Sequence, residues 1–330
     1  MSDQNGAVPV LSIDNLTTSI RSEGLTFDVV RGMTLDLYPN EIVCLVGESG
    51  CGKTIAALSV MRLLPEAAEI TGGAIRFKGN ELVGASERDI RRIRAEEISM
   101  IFQDPLTSLD PSFTVGHVLQ ELIKAHREVD NDEAAELALA TLVEVEIPDA
   151  SSRMRAYPHQ LSGGMRQRVM IAMALVLDPD VLIADEPTTA LDVTVQAQIL
   201  ERLVEEQRQR QMAMLLITHD LAVVASVAHR VAVMYSGEIV EQAPVDQLFS
   251  DPRHPYTQGL LRALPHVSAR KEALYSIPGR VPPPQMTPPG CYFAPRCPYA
   301  IERCWLEHPG LEGTGDRLLR CFNPQPFASL

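Results

Sequence analysis

Three short apolar runs give the chain its first structural interpretation. The run IVCLV at 42–46 is apolar throughout, as expected for a strand that is buried on both faces. The runs VLIA at 181–184 and MLLIT at 214–218 have the same character. We therefore predict three buried strands, widely separated along the chain.

Helical patterns occupy the segments between these runs. One follows the first run over 53–64, where Pro65 would end it, and another extends over 192–211 with Asp192 as a predicted N-cap. Residues 111–177 also favour helix, and one apolar face there would contain Ala134, Leu137, Ala138, Thr141 and Leu142. Strands that alternate with helices predict an α/β fold with a mainly parallel sheet.

The two ends of the chain have a different character. Near the start, the segments 10–16, 33–39 and 74–78 are predicted to be strands joined by turns. The composition changes near residue 245, and 277–290 contains six prolines, which is typical of an extended spacer. We therefore predict a main domain over 1–245, with a helical subdomain at about 105–175, and a C-terminal extension over 246–330.

Composition and charge exclude several classes of protein. The chain has 330 residues, and 29 Lys+Arg against 43 Asp+Glu give a net charge of −14. An acidic surface disfavours non-specific binding to nucleic acid, which requires clustered positive charge. No run reaches the roughly 18 to 20 apolar residues of a membrane-spanning helix, and the start of the sequence lacks the pattern of a secretory signal. We therefore expect a cytosolic protein whose membrane association depends on partners.

A phosphate-binding loop follows the first buried strand. The sequence GESGCGKT fits the pattern G-x-x-x-x-G-K-[ST] between a strand and a helix. The glycines would let main-chain N–H groups surround phosphates, Lys53 would supply a positive charge and Thr54 would bind Mg²⁺. The predicted nucleotide-binding residues here are Gly47, Glu48, Ser49, Gly50, Cys51, Gly52, Lys53, Thr54 and Ile55.

Two adjacent acids end the second buried run. Asp185 would bind Mg²⁺, and Glu186 would orient or deprotonate the attacking water. Two acids after a strand can also form a simple solvated turn. Together with the phosphate-binding loop upstream, they indicate nucleotide hydrolysis.

A second candidate anion site lies at the sequence LSGGMRQR, residues 161–168. Ser162 would cap a helix, and Gly163 and Gly164 would expose its first N–H groups to an anion. This segment resembles the LSGGQ signature of the ABC family, with Met165 at the last position, as in the peptide-importer branch. In that family the segment binds nucleotide held by a partner subunit, and by resemblance we include Ser162, Gly163, Gly164 and Gln167 in the nucleotide site.

Other positions match the ABC pattern in the expected order. Gln103 resembles the Q-loop residue, which senses Mg²⁺ and the γ-phosphate, and Asp192 belongs to a D-loop-like Ala190-Leu191-Asp192. His219 resembles the switch histidine that contacts the γ-phosphate. The resemblance thus implies catalytic roles for Lys53, Gln103, Glu186 and His219. Phe27 is the best candidate for stacking on adenine, with Ile20 as the alternative.

The resemblance implies a P-loop ATPase core with an antiparallel β subdomain, a helical subdomain and a small cysteine-rich extension. Two such subunits, commonly different chains in this branch, would form a head-to-tail dimer that binds ATP and Mg²⁺. The implied partners are two transmembrane permeases and, indirectly, an extracytoplasmic substrate-binding protein, but not nucleic acid. The implied location is the cytoplasmic face of the inner membrane.

The C-terminal extension supplies two further features. The segment His254-Pro255-Tyr256-Thr257 resembles one that marks ATPase subunits of dipeptide, oligopeptide and nickel importers, although the residues themselves suggest no chemistry for it. Four clustered cysteines follow, at positions that match neither zinc knuckles nor ferredoxins. By resemblance we predict a [4Fe–4S] cluster, with zinc or no metal as alternatives, on Cys291, Cys297, Cys304 and Cys321.

The favoured function is ATP hydrolysis that powers the import of di- or oligopeptides. One alternative is a soluble ABC ATPase that acts on nucleic acid or ribosomes. The chain has one ATPase unit, no sustained heptads between Thr54 and Ser162, and an acidic charge, and each of these disfavours that alternative. Import of nickel or another small solute is a second alternative.

Overall fold

The structure, a computed structural model, describes residues 8–104, 108–188, 192–264 and 275–327. Within these residues the apolar runs at 42–46, 181–184 and 214–218 form strands as predicted, and other strands accompany them. In chain order they are β1 (Leu11–Ser22), β2 (Leu25–Leu37), β3 (Ile42–Val46), β4 (Ala68–Phe77), β5 (Asn80–Glu81), β6 (Ile98–Ile101), β7 (Val181–Asp185), β8 (Ala213–Ile217), β9 (Arg230–Tyr235), β10 (Glu238–Pro244), β11 (Glu312–Thr314) and β12 (Arg317–Leu319).

Helices lie between many of these strands in the described part of the chain. They are α1 (Lys53–Val60), α2 (Glu87–Ile93), α3 (Val115–His126), α4 (Asn131–Glu144), α5 (Ala150–Arg153), α6 (Gly163–Leu175), α7 (Val193–Arg210), α8 (Leu221–Val227), α9 (Val245–Ser250), α10 (Pro255–Arg262) and α11 (Glu302–Leu306).

The chain divides into two compact units. Among the described residues, the first unit contains those up to Val10, Tyr38–Asn40 and Gly84–Leu215. The second unit contains Leu11–Leu37, Glu41–Val83 and the residues from Leu216 onward. The C-terminal extension therefore belongs to the same unit as the phosphate-binding loop.

An antiparallel sheet forms one part of the second unit. Its strand order is β2-β1-β4-β5, and β1 pairs along its length with β2 on one side and β4 on the other. The pairing contains β-bulges, for example between Ile13 and Leu16 of β1, which bend and twist a strand. This sheet is the antiparallel subdomain that the resemblance implies.

A second group of strands in this unit extends from one side of β3. Strand β9 runs parallel to β3, and β10 and β12 continue the group in antiparallel fashion out to β11. All five residues of β3 are buried, which explains their continuous apolar character. Strands β11 and β12 come from the extension, so the last part of the chain is hydrogen-bonded into this unit.

The first unit combines parallel strands with most of the long helices. Strands β6 and β7 pair in parallel, with Ile101 opposite Ala184, and β7 and the start of β8 are neighbours. The helical region predicted for 111–177 consists of α3 to α6. In α4 the residues Ala134, Ala138, Thr141 and Leu142 are buried as predicted, and Leu137 is half-buried.

Two predicted boundaries differ from the observed ones. Helix α1 ends at Val60 rather than Leu64, because Arg62 has a left-handed backbone (φ 52°) and ends the helix before Pro65. Strand β4 begins at Ala68 rather than Ala74, because β1 pairs with its first residues as far as Ile20 opposite Ala68. Pairing with β1 therefore extends strand β4 beyond the segment that the local sequence predicts as a strand.

Candidate nucleotide-binding site

The phosphate-binding loop lies between β3 and α1 in the second unit, as the motif requires. Gly52 precedes the helix with a φ of 108°, which favours glycine, and a Cβ there would lie 2.5 Å from the carbonyl oxygen of Val29. No other residue would fit at this position without displacing the main chain. The loop is therefore a tight cradle of main-chain groups that fits a phosphate chain.

Lys53 is folded back into this loop. Its side chain is buried, and Nζ donates hydrogen bonds to the carbonyl oxygens of Gly47 (2.8 Å) and Glu48 (3.2 Å) and lies 3.8 Å from Sγ of Cys51. Both oxygen acceptors are neutral, so the positive charge stays within the loop. An ammonium group held in this way can bind phosphate oxygens.

The other loop residues differ in exposure. Ser49, Gly50 and Thr54 are exposed, whereas Gly52 and Ile55 are half-buried. Cys51 is buried, and this burial raises the pKa of its thiol although the nearby Lys53 acts in the opposite direction. Cys51 thus serves as a packed, neutral side chain under the loop.

The two acids follow β7 in the first unit. Asp185 is the last residue of the strand and is buried, and Glu186 has a left-handed backbone with φ 46°. Non-glycine residues rarely adopt this conformation, and such strain is concentrated at functional sites. Nε2 of Gln103 donates a hydrogen bond to Oε2 of Glu186 at 3.1 Å. The structure therefore brings together two of the predicted catalytic residues.

The signature segment begins a helix, as predicted. Ser162 is the N-cap of α6, and its Oγ accepts a hydrogen bond from the N–H of Met165 at 3.3 Å. Gly163 and Gly164 form the first turn, where a Cβ on Gly164 would lie 3.0 Å from Val195. Gln167 is buried, so its side chain packs inside the first unit rather than at the surface.

Asp192 and His219 occupy the positions predicted from the sequence. Asp192 is the N-cap of α7, and Oδ1 accepts a hydrogen bond from the N–H of Val195 at 3.0 Å. Ala190 and Leu191 of the D-loop-like segment lie outside the described residues. His219 is exposed in the second unit, two residues after β8. Next to it, Thr218 accepts a hydrogen bond from the N–H of Asp220.

The two candidates for adenine stacking turn out to be neighbours. Phe27 on β2 and Ile20 on β1 are directly opposite each other in the antiparallel sheet, and both are half-buried. Opposite side chains in such a pair lie on the same face. An adenine ring that reached one of them would therefore also approach the other.

Two residues of the extension contact the phosphate-binding loop, and neither contact is predicted from the sequence. The hydroxyl oxygen of Tyr256 accepts a hydrogen bond from the N–H of Glu48 at 2.9 Å. Arg296 donates to both carboxylate oxygens of Glu48 at 2.6 and 3.0 Å. For Tyr256 the available signal is the resemblance of the HPYT segment to importer ATPases, whereas the sequence carries no comparable signal for Arg296.

The four C-terminal cysteines lie near one another. The N–H of Cys291 donates to the carbonyl oxygen of Cys304 at 2.8 Å. Burial raises the pKa of the Cys297 thiol to about 11 and that of Cys321 to about 12, and the neighbouring cysteines add to both effects. Nevertheless, no group of three or more His, Cys, Asp or Glu side chains within the described ranges is arranged to bind a metal. The four thiols nevertheless form an all-sulfur donor set, which is the kind of ligand set that iron–sulfur clusters use.

Within the described parts of the chain, no helix is both long enough and apolar enough to cross a bilayer.

Comparisons with known proteins agree with these features. Residues 30–189 match the family described as "ABC transporter", and residues 240–304 match "Oligopeptide/dipeptide transporter, C-terminal region". The chain is 47% identical to the dipeptide transport ATP-binding protein DppD of Escherichia coli (strain K12), over 96% of this chain and 97% of that protein. It is 49% identical to DppD of Bacillus subtilis (strain 168), over 91% and 90% of the two chains.

Solved structures show the same fold. The ATP-binding cassette MJ0796, in a dimeric post-hydrolysis state bound to ADP and Pi, has a TM-score of 0.65 and 25% identity. The match covers 71% of this chain and 98% of MJ0796. Identity to the DppD proteins along nearly the whole chain, together with the phosphate-binding loop and signature helix described above, shows that the chain is an ATP-hydrolysing member of the ABC transporter family.

Proposed function

We propose that this ABC ATPase powers the import of di- or oligopeptides through separate permease subunits. The observation that carries the proposal is the C-terminal extension, since residues 240–304 match a region described for oligopeptide and dipeptide transporters. The HPYT segment lies within that match. The relatives in E. coli and B. subtilis, which are named for dipeptide transport, support the same substrate class.

In this proposal the phosphate-binding loop holds the ATP phosphates. The N–H groups between Gly47 and Ile55 surround the phosphate chain, and Lys53 exchanges its contacts with main-chain carbonyls for contacts with the β- and γ-phosphates. The exposed Thr54 hydroxyl and the Asp185 carboxylate would bind Mg²⁺, which neutralises charge on the phosphates. Thr54 and Asp185 belong to different units, so the pairing of these two ligands rests on the sequence motifs.

Hydrolysis in this proposal depends on Glu186. Its carboxylate orients or deprotonates the attacking water, and the amide of Gln103 holds that carboxylate through the observed hydrogen bond. His219, exposed after β8, contacts the γ-phosphate. The strained backbone of Glu186 supports this assignment, because strain at a non-glycine residue is retained where it positions a functional group.

A second ATPase subunit completes the site. Ser162, Gly163 and Gly164 present the positive end of α6 to the ATP that the partner binds, and Asp192 lies at the same interface. The dimeric state of the MJ0796 structure supports this arrangement. The dimer would have an open and a closed conformation. ATP binding would favour the closed one, and hydrolysis would favour the open one.

The remaining partners are two permeases and a substrate-binding protein on the far side of the membrane. The subunit is then a peripheral protein on the cytoplasmic face of the inner membrane. These partners should co-purify with the chain when native membranes are solubilised mildly. Mass spectrometry of the co-purified proteins is therefore the first test of the proposal.

Uptake of labelled dipeptides in a strain that lacks the chain is the second test. The wild-type chain should restore uptake, and Glu186→Gln should not, although it should still co-purify with the permeases. Recovery with ribosomes or nucleic acid alone would contradict the transport proposal while leaving the ATPase activity intact. If the chain restores the uptake of nickel but not of peptides, the transported substrate is nickel rather than a peptide.

We further propose that Cys291, Cys297, Cys304 and Cys321 bind a [4Fe–4S] cluster with a structural role. The support is their shared segment, their mutual electrostatic influence and the preference of iron–sulfur clusters for four thiolates. Anaerobically purified protein should contain iron and sulfide, and Cys321→Ser should lose both while Cys44→Ser should retain them. Colourless protein that contains zinc, or no metal, would contradict the cluster.

A further inference from the structure

Glu48 is the point at which the extension meets the phosphate-binding loop. Its N–H donates a hydrogen bond to the Tyr256 hydroxyl oxygen at 2.9 Å. Its carboxylate accepts hydrogen bonds from Nη1 and Nη2 of Arg296 at 2.6 and 3.0 Å. Its carbonyl oxygen accepts Nζ of Lys53 at 3.2 Å. Main chain and side chain of one loop residue are thus fixed by two residues from beyond position 250 and by the loop lysine.

Arg296 is held rigidly before it reaches Glu48. Its side chain is 4% exposed, and Nε donates to the carbonyl oxygen of Pro278 at 2.9 Å. The guanidinium also lies 5.7 Å from the ring centre of Tyr235 and 6.0 Å from that of Phe293. A bidentate pair with a carboxylate gains geometric specificity when the planar guanidinium is fixed in this way.

Tyr256 is equally constrained. It is fully buried at the start of α10, where its ring contacts Tyr235 at 4.8 Å and Phe293 at 5.4 Å between centres. His254 caps this helix by accepting the N–H of Tyr256 itself. The hydroxyl oxygen is therefore presented to the loop from a packed aromatic cluster, defined here as Tyr235, Tyr256 and Phe293.

The charge of Glu48 explains why this support matters for ATP. A carboxylate in the phosphate-binding loop repels a triphosphate, and it is only 32% exposed, so water screens it incompletely. Arg296 neutralises that carboxylate. Removing the arginine would leave a half-buried negative charge in the loop that has to receive the phosphates.

We propose that Arg296 and Tyr256 are positioning residues for ATP binding, so that the C-terminal extension sets the ATP affinity of the phosphate-binding loop. Arg296 acts by neutralising the carboxylate of Glu48, and Tyr256 acts by accepting the main-chain N–H of Glu48. In this proposal both residues act through Glu48 and neither touches the nucleotide. The inference concerns ATP binding by the chain itself and does not depend on the transported substrate.

A double-mutant cycle on the full-length protein separates this role from a general effect on folding. Arg296→Gln should raise the Kd for MgATP by about 10-fold, the size of effect expected for a lost charge-assisted pair. In a Glu48→Gln background, the same substitution should change the Kd by less than about twofold, because the charge it neutralised is absent. Arg303→Gln serves as the matched control, since it removes an exposed arginine from the same segment.

The steady-state kinetics give an independent readout. Arg296→Gln should raise the KM for ATP more than it lowers kcat, whereas a merely destabilised protein would lose active enzyme and hence kcat. An equal loss of affinity in both Glu48 backgrounds, or no loss in either, would overturn the role of Arg296.

Tyr256→Phe keeps the test decisive if Arg296→Gln does not fold. It removes one hydroxyl from a packed ring and should raise the Kd for MgATP about threefold to tenfold, the range for a buried donor that loses its partner. An unchanged Kd in this variant would overturn the role of Tyr256. Because the assay uses purified protein and ATP alone, a failure of peptide uptake would leave the result unaffected.

Discussion

Gln103 and Glu186 are hydrogen-bonded to each other, with Nε2 and Oε2 3.1 Å apart. The contact follows from the sheet. Gln103 comes two residues after β6, Glu186 directly follows β7, and these parallel strands pair with Ile101 opposite Ala184. The carboxyl ends of neighbouring parallel strands lie at one edge of a sheet, so the two side chains meet there although 83 positions separate them.

Glu186→Gln is expected to retain ATP binding and to slow turnover by about 10²- to 10⁴-fold. A glutamine keeps an oxygen that can accept the hydrogen bond from Gln103, but it cannot take up a proton from water. Steady-state ATPase assays and equilibrium ATP binding would test this. Glu201→Gln, an exposed acid on α7, is the control. Turnover near the wild-type rate would show that another group activates the water.

Ser162→Ala should destabilise the first unit by about 1 kcal/mol, because the N–H of Met165 loses its acceptor at the N-terminus of α6. Urea denaturation would measure the change. Ser162→Asn should preserve stability, since asparagine is also a good N-cap. If Ser162→Asn nevertheless loses ATPase activity, the hydroxyl has a role beyond capping; equal activity would limit it to the cap.

His254 is expected to make the protein less stable in mild acid. Burial lowers the pKa of this histidine to about 3, and its Nδ1 accepts the N–H of Tyr256, which requires the neutral ring. An unfolded histidine has a pKa near 6.5. As the pH falls below about 6.5, the unfolded chain binds a proton that the folded chain does not, so the free energy of unfolding decreases by up to about 1.4 kcal/mol per pH unit.

The measurement compares His254→Asn with the wild type by denaturation between pH 7 and about pH 4, the window set by the two pKa values. Asparagine retains a capping oxygen and does not titrate. The free energy of unfolding of the variant should therefore decrease less steeply as the pH falls, and the difference in slope should correspond to one proton. His159→Asn, which changes an exposed histidine, should match the wild-type slope. Identical slopes for all three proteins would rule out the buried neutral ring as the cause.

Arg230 and Glu41 form a buried bidentate pair in the second unit. Nε and Nη2 each lie 3.0 Å from a carboxylate oxygen, and the two side chains are 7% and 5% exposed. Arg230→Met should therefore reduce the free energy of unfolding by about 3–5 kcal/mol, because it leaves the Glu41 carboxylate buried without this partner. Arg303→Met, at an exposed ion pair, should cost less than about 1 kcal/mol. Denaturant melts of both variants would decide.

Elements with a strong local signal were predicted well from the sequence. The phosphate-binding loop was correctly placed between a buried strand and a helix, and α7 starts after its predicted cap, Asp192. These features depend on apolar period and on capping chemistry within a few residues, which a sequence displays directly. By contrast, the extent of β4 depends on pairing with β1, so its local signal was too short.

The sequence by itself determined the local chemistry of the nucleotide site. Lys53, Glu186 and Ser162 lie in short motifs, and neighbouring residues encode the strand end or helix start beside each of them. Only the tertiary structure decided what holds that chemistry in place. Tyr256 and Arg296 reach Glu48 across 208 and 248 positions, and such contacts leave no periodic trace in the sequence. Their existence depends on how the extension packs, because a hydrogen bond between distant residues forms only where folding brings a donor and an acceptor together.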